Sequence, residues 1–375
     1  ALKNIAIGTN ALTELETGDG NVAIGYGAGD DTADLGSSDN VYIGVDSGGG
    51  TAVTASSNNN VAIGSGTMAG AMNGALNNTA IGYNAGAAIT TGDSNTLVGG
   101  AAGSAMTTGT NTAIGKSALK VHTTGSSNTV IGSFAMSDTD AGSNSLGSGH
   151  NVAIGTDCFA GTWTDAASEY NVVIGSRAAQ GNQTGMNSNV VIGYQAGNAL
   201  LNPDNSVLIG NQAGLLATSG RRNIAIGSTA WGKATGGTDN IAIGFNAMGD
   251  TGAGATSSAV TENMFIGHQS GGGTWANTDS NRNTAIGHST MQSAMDAAVQ
   301  NTAVGFQAGN GITTGDENTM IGMRAGDGVT TGDQNTGLGA QTAFDIDADN
   351  QTAVGYGATT DSANDIAIGN TSVDE

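Results

Sequence analysis

The chain has 375 residues, 64 of them Gly, with one Pro, one Cys and 4% aromatics, too few large side chains for a conventional globular core and no three-residue collagen period. Its 31 acidic residues against 9 basic ones argue against binding nucleic acid through phosphates, which takes clustered Lys and Arg, and against anionic membrane surfaces. No hydrophobic run reaches transmembrane length and no secretory signal opens the chain.

Five residues recur 21 times between Gly8 and Gly369: Asn, a β-branched residue, a small apolar residue, an aliphatic residue, Gly, as in Asn111-Thr112-Ala113-Ile114-Gly115. Most spacings are 16 to 20 residues. A fixed repeat of this size means stacked units sharing one core. Counting from the glycine, β-branched residues at −3 and aliphatic ones at −1 describe one face of a short strand, and the glycine a bend. Gly and β-branched residues throughout speak against helix. The fold class is therefore all-β, a parallel β-solenoid of 21 coils of about 17 residues each.

Residues 1–20 form a leading coil, and a start at Ala1, one step from a repeat, is what a processed piece of a longer protein would show. Six-coil super-repeats follow at 21–127, 128–239 and 240–350, then trailing coils at 351–375. Gly161-Thr162-Trp163 matches Gly273-Thr274-Trp275, and Asp138-Thr139 matches Asp250-Thr251. Insertions at 133–150, 156–170, 245–262 and 268–282 map to loops of the kind that meet partners. Trp163 and Trp275 stand in them and are the candidates for receptor or glycan contact.

Position −4 is Asn in 18 of 21 copies. In a stack, equivalent residues lie ~4.8 Å apart, and an amide both donates and accepts, so Asn21, Asn78, Asn111, Asn171, Asn223 and Asn301 are expected to form a structural ladder. Position −2 is apolar in all copies and Ala in 12. A strand apolar on both faces is buried on both, and one coil covers only one of them. Taking −3/−1 as the inner face makes Ala113, Val130, Val173, Leu208, Phe265 and Met320 the candidates for an oligomer interface, with a second copy of the chain as the economical partner. The small residue at +3, including Cys158, reads as packing.

Thr-Gly-Asp segments between strands are turn chemistry. Asp316 and Asp333 fall on adjacent rungs, where a Ca²⁺ ion would relieve their repulsion, the weak metal candidate of this sequence; otherwise no metal and no cofactor is expected. His268 and His288 share the +1 column on adjacent coils, while their counterparts Thr156, Ser176, Val45 and Ser65 argue against a metal site shared by the super-repeats. No nucleophile elbow, P-loop or Cys/His metal spacing stands in context, and no enzyme is expected.

Asn205-Ser206-Val207-Leu208-Ile209-Gly210, with the many Asn-Thr-Ala-Ile-Gly and Asn-Val-Ala-Ile-Gly copies, resembles the head repeats of YadA-type trimeric autotransporter adhesins, and is similar to repeats of bacteriophage tail fibres. The resemblance implies a left-handed parallel β-roll, a homotrimer, and an extracellular place on a virion tail fibre or a cell surface. Its expected role is a structural and adhesive fibre segment meeting a host-surface receptor or glycan. These coils differ in running to 23 residues with ordered insertions. The alternative is a monomeric solenoid binding glycan or ice, for which the Thr at −3 (Thr79, Thr96, Thr112, Thr129) would have to be an exposed array rather than core.

Overall fold

The computed structural model describes residues 2–30, 36–50, 55–138, 147–163, 167–233, 235–250, 260–275 and 280–370. Twenty-one three-residue strands lie among them, from β1 (Ile5–Ile7) to β21 (Ile366–Ile368), one on each repeat, and no helix. The chain is an all-β parallel β-solenoid. It divides into two compact units, 1–188 with β1–β10 and 189–375 with β11–β21.

Within each unit every strand pairs in parallel with the next and in register. In the first, β4 (Val61–Ile63) meets β5 (Thr79–Ile81) as Val61↔Thr79, Ala62↔Ala80, Ile63↔Ile81. In the second, β13 (Ile224–Ile226) meets β14 (Ile241–Ile243) in the same way. This register puts each repeat position in a column of its own.

The columns point the other way from the expected one. Position −2 is inside the coil: Ala113, Val130, Val173, Phe265 and Met320 are 0% exposed and Leu208 1% exposed in the single chain. These six are core, and the chain's own coil covers them. Positions −3 and −1 flank each −2 residue and point outward, half-buried or exposed. A roll of about 17 residues per turn is only one side-chain layer thick, so the inward slot selects for small side chains and the branched ones stand outside.

In most coils the inward slot trades volume with position +4 on the opposite wall. Where −2 is large, +4 is Gly and the two touch: a Cβ on Gly103 would stand 3.0 Å from Leu97, on Gly214 2.9 Å from Leu208, and on Gly271 2.5 Å from Phe265. At Ala62, Ala113, Ala225 and Ala242, position +4 supplies the bulk with Met68, Leu119, Trp231 and Met248, all buried; where both are small, as at Ala80 with Gly86 and Ala303 with Gly309, Ile89 and Ile312 reach in instead. These bulky +4 residues adopt φ of 47 to 54°, a left-handed conformation costing about 1 kcal/mol or more for a non-Gly residue, which interior packing at native density offsets.

The repeat glycine itself is a close approach. Gly115 has φ +138°, and a Cβ there would sit 2.5 Å from the carbonyl oxygen of Gly132 on the next coil. No side chain fits between stacked backbones at that distance.

The Asn column forms the expected ladder. Asn40 Oδ1 accepts the backbone N–H of Asn60 at 2.8 Å and its Nδ2 at 3.2 Å, and Asn40 Nδ2 also donates to Ser57 O across the coil at 2.9 Å. Asn21, Asn78, Asn111, Asn171, Asn223 and Asn301 are buried and make the same cross-coil donation. One buried amide thereby serves a backbone N–H, a backbone carbonyl and its neighbours, which is why Asp, Ser or Gln cannot replace it in full. Ser206 shows the loss: its Oγ accepts Asn223 N–H at 3.2 Å and donates to Asp204 O within its own coil, at 3.3 Å.

Trp163 and Trp275 are core, 0% and 1% exposed, not surface contact residues. Each fills the wider lumen of a 20-residue coil against a second ring: Trp163 lies 4.5 Å from Phe159 and Trp275 5.5 Å from Phe265, centroid to centroid. Trp275 Nε1 donates to Gly271 O at 3.1 Å. The matching coil of the first super-repeat holds Tyr42, also 0% exposed. Cys158 is buried beside them, its Sγ 3.2 Å from Val173 O, and burial pushes its thiol up to about 12. It is a packing residue of low reactivity.

Candidate functional surface

The surface is built from what the strands turn outward. Along each unit the −3 column of Val, Ile, Thr and one Met and the −1 column of Ile, Val and Leu run side by side, with no charged residue in either. Ile81, Ile114, Ile131, Ile286, Ile321 and Leu338 are 37 to 42% exposed. On a chain of net charge −22, an uncharged stripe of stacked aliphatic side chains is an exposed apolar patch of the kind that marks an interaction site.

The −3 Thr residues, read above as better suited to a core, lie on this outer face. They come in unbroken runs: Thr79, Thr96, Thr112 and Thr129 on four successive coils, and Thr284, Thr302, Thr319, Thr336 and Thr352 on five, all half-buried.

Just past the glycine, the +1 column widens the stripe, and its aromatics are exposed: Tyr26 56%, Tyr83 66%, Tyr194 46%, Phe245 50%, Phe306 44%, Tyr356 64%. In the second unit four rings stack on successive coils. Phe245 lies 5.1 Å from His268, His268 4.7 Å from His288, and His288 5.3 Å from Phe306, with the imidazoles 8° from parallel.

The insertions meet at two equivalent clasps. Thr162 Oγ1 donates to Asp138 Oδ2 at 2.8 Å and Trp163 N–H to Asp138 O at 3.4 Å. Thr274 and Trp275 do the same to Asp250, at 2.8 and 3.3 Å. The two sequence motifs that mark corresponding super-repeats are thus bonded to each other in both copies. Residues 139–146, 164–166, 251–259 and 276–279, which complete these insertions, lie outside the described residues.

Polar ladders run along the stack as well. At position −5, Arg222 pairs with Asp239 at 2.6 Å and Arg282 with Glu262 at 2.7 Å, each reaching the next coil from a left-handed backbone. Asp316 and Asp333 are joined to the stack: Asp316 Oδ1 accepts Val299 N–H and Asp333 Oδ1 accepts Asp316 N–H, both at 2.8 Å. Partial burial and the neighbouring Asp333 carboxylate raise the Asp316 pKa. Among the described residues no three His, Cys, Asp or Glu side chains converge as a metal site. Comparison with protein-family models gives no match, and comparison with curated proteins gives none.

Proposed function

We propose that the chain is a structural and adhesive fibre segment in which three copies lie side by side, each contributing its −3/−1 face to a shared apolar interior. The observation that carries this reading is the uncharged aliphatic stripe along both units. Copies of a chain with net charge −22 repel one another except through a face free of acidic residues, and the −3, −1 and +1 columns contain none. The sequence resemblance to trimeric adhesin heads and phage fibres points the same way. In this arrangement the clasped insertions stand toward receptors or glycans outside the cell, on a virion or a cell surface.

Light scattering on the purified chain tests it. The expected mass is three chains, falling to one in the double variant Ile114→Glu, Ile131→Glu with the strand signal in circular dichroism unchanged. A monomeric wild type overturns the trimer.

The Thr runs favour a second reading, a monomeric solenoid whose outward hydroxyl and methyl array orders water as an ice-binding face. The two readings use the same face and exclude each other. A wild-type monomer showing thermal hysteresis that Thr319→Lys abolishes would establish the second.

A further inference from the structure

The ring stack of the second unit offers chemistry that neither reading uses. His268 and His288 stand on adjacent coils, both exposed, their rings nearly parallel and 4.7 Å apart. Phe245 and Phe306 cover the outer faces of the pair, so stacking of a further flat ligand on the imidazoles is blocked. What the pair presents to solvent is its edges.

Ser289 engages the Nδ1 edge of one of them. Its Oγ, on a side chain with only 3% exposure, lies 2.9 Å from His288 Nδ1. In the tautomer that donates Nδ1–H to that hydroxyl, Nε2 keeps its lone pair, as in metal-binding histidines whose second nitrogen is held by a hydrogen bond. No acidic residue stands in the +1 column, and the +2 residues beside the pair are Gln269 and Ser289, so the local ligands are nitrogen rather than carboxylate oxygen.

We propose that His268 and His288 form a two-imidazole site for a borderline divalent cation of the Zn²⁺ class. Two nitrogens bound to one tetrahedral Zn²⁺ at ~2.0–2.1 Å are ~3.4 Å apart. The imidazoles, 4.7 Å apart and 8° from parallel, reach it when both exposed rings rotate out of the stack so that their in-plane lone pairs converge on one ion. Imidazole suits Zn²⁺, Ni²⁺ and Cu²⁺ and not Ca²⁺, and the field of a chain with net charge −22 concentrates dications near its surface. Two protein ligands leave the remaining positions to water or to donors of a second molecule. The site is particular to the third super-repeat, because the corresponding residues are Thr156 and Ser176 in the second and Val45 and Ser65 in the first. It does not depend on self-association.

Calorimetric titration of zinc chloride into the full chain tests the site, with calcium chloride as the control cation. Binding is expected for Zn²⁺ and not for Ca²⁺, weakened at least about tenfold in His268→Ala and in His288→Ala. Loss of an outer-shell partner costs ~10–100-fold in affinity, so Ser289→Ala should weaken binding by about tenfold. His150→Ala should leave it unchanged, since His150 stacks on Tyr170 elsewhere, 4.9 Å centroid to centroid. Circular dichroism of each variant confirms that the fold is kept. Absence of Zn²⁺ binding, equal binding of Ca²⁺, or full affinity in the double variant His268→Ala, His288→Ala overturns the proposal. Light scattering with zinc and with chelator reads self-association separately.

Discussion

Val130 and Ile131 are adjacent on one strand, alike in chemistry, yet the first is 0% and the second 37% exposed. The inward −2 column and the outward −1 column of this solenoid are equally apolar, and hydrophobicity does not tell them apart. Size does. The inner column is limited by the width of a one-layer lumen and in most coils trades volume with the +4 wall, whereas the outer columns meet no wall of their own coil and stay branched at every position but Met264. A change on the inside should therefore cost stability of the separate chain, and one on the outside should alter what the chain associates with.

The sharpest contrast is between rings. Trp275→Ala empties the lumen of a long coil and should cost about 3–5 kcal/mol, while Tyr83→Ala on the exposed stripe should change unfolding free energy by less than about 0.5 kcal/mol. Urea titration of the two variants measures both; equal costs would erase the inside–outside distinction. Next comes the ladder. Asn111→Ala removes the acceptor of Asn128 N–H and Nδ2, at 3.0 and 2.9 Å, and the donor to Gly125 O. Buried groups left unpaired cost ~1–3 kcal/mol each, and hydrogen exchange should show the loss confined to the neighbouring coils, as in other quasi-one-dimensional stacks.

The clasps should be worth less. Asp250→Ala removes the Thr274 bond, a cost of about 1 kcal/mol, together with the ion pair to Lys233 at 2.9 Å, so it should cost somewhat more than Asp138→Ala, whose counterpart of Lys233 is Val121. Melting temperatures of the two variants check it; a larger loss in Asp138→Ala would contradict it. The smallest effect belongs to the acidic ladder. The raised pKa of Asp316 means that ionisation opposes folding, so the wild type gains stability as pH falls through that pKa. Asp316→Asn keeps an acceptor for Val299 N–H and should raise the melting temperature slightly at neutral pH, with the advantage disappearing in acid.

Much of this was legible in the sequence, because a stacked fold repeats its demands. The Asn column, the bend at glycine, the packing role of Cys158 and the strand on every repeat follow from spacing and residue type. The direction of the strand did not, since alternation defines two faces without saying which is inside. The deciding signal was present as reciprocal sizes, Leu97 with Gly103 and Ala113 with Leu119, but it links positions six residues apart across a lumen and shows only once the coil is closed. Trp163 and Trp275 were misplaced for a related reason. An extra few residues in a coil read as a surface loop in sequence, whereas they also widen the lumen, and the ring goes in to fill it. The imidazole stack followed directly from register; the hydroxyl of Ser289 that orients one ring did not.

Ser206 gives the second unit a mechanical character. Under tension along the stack, successive coil contacts bear load in series, and the weakest link sets the breaking force. Each Asn rung adds a side-chain tie across its coil, and at Ser206 that tie is missing, the hydroxyl bonding Asp204 O within the same coil. Gln351 and Asp365 are the other two rungs of that unit without Asn, so a pull on it should part it first at one of these three. A rung without Asn thus acts as a fuse, fixing where a strained stack yields while the coils on either side stay wound.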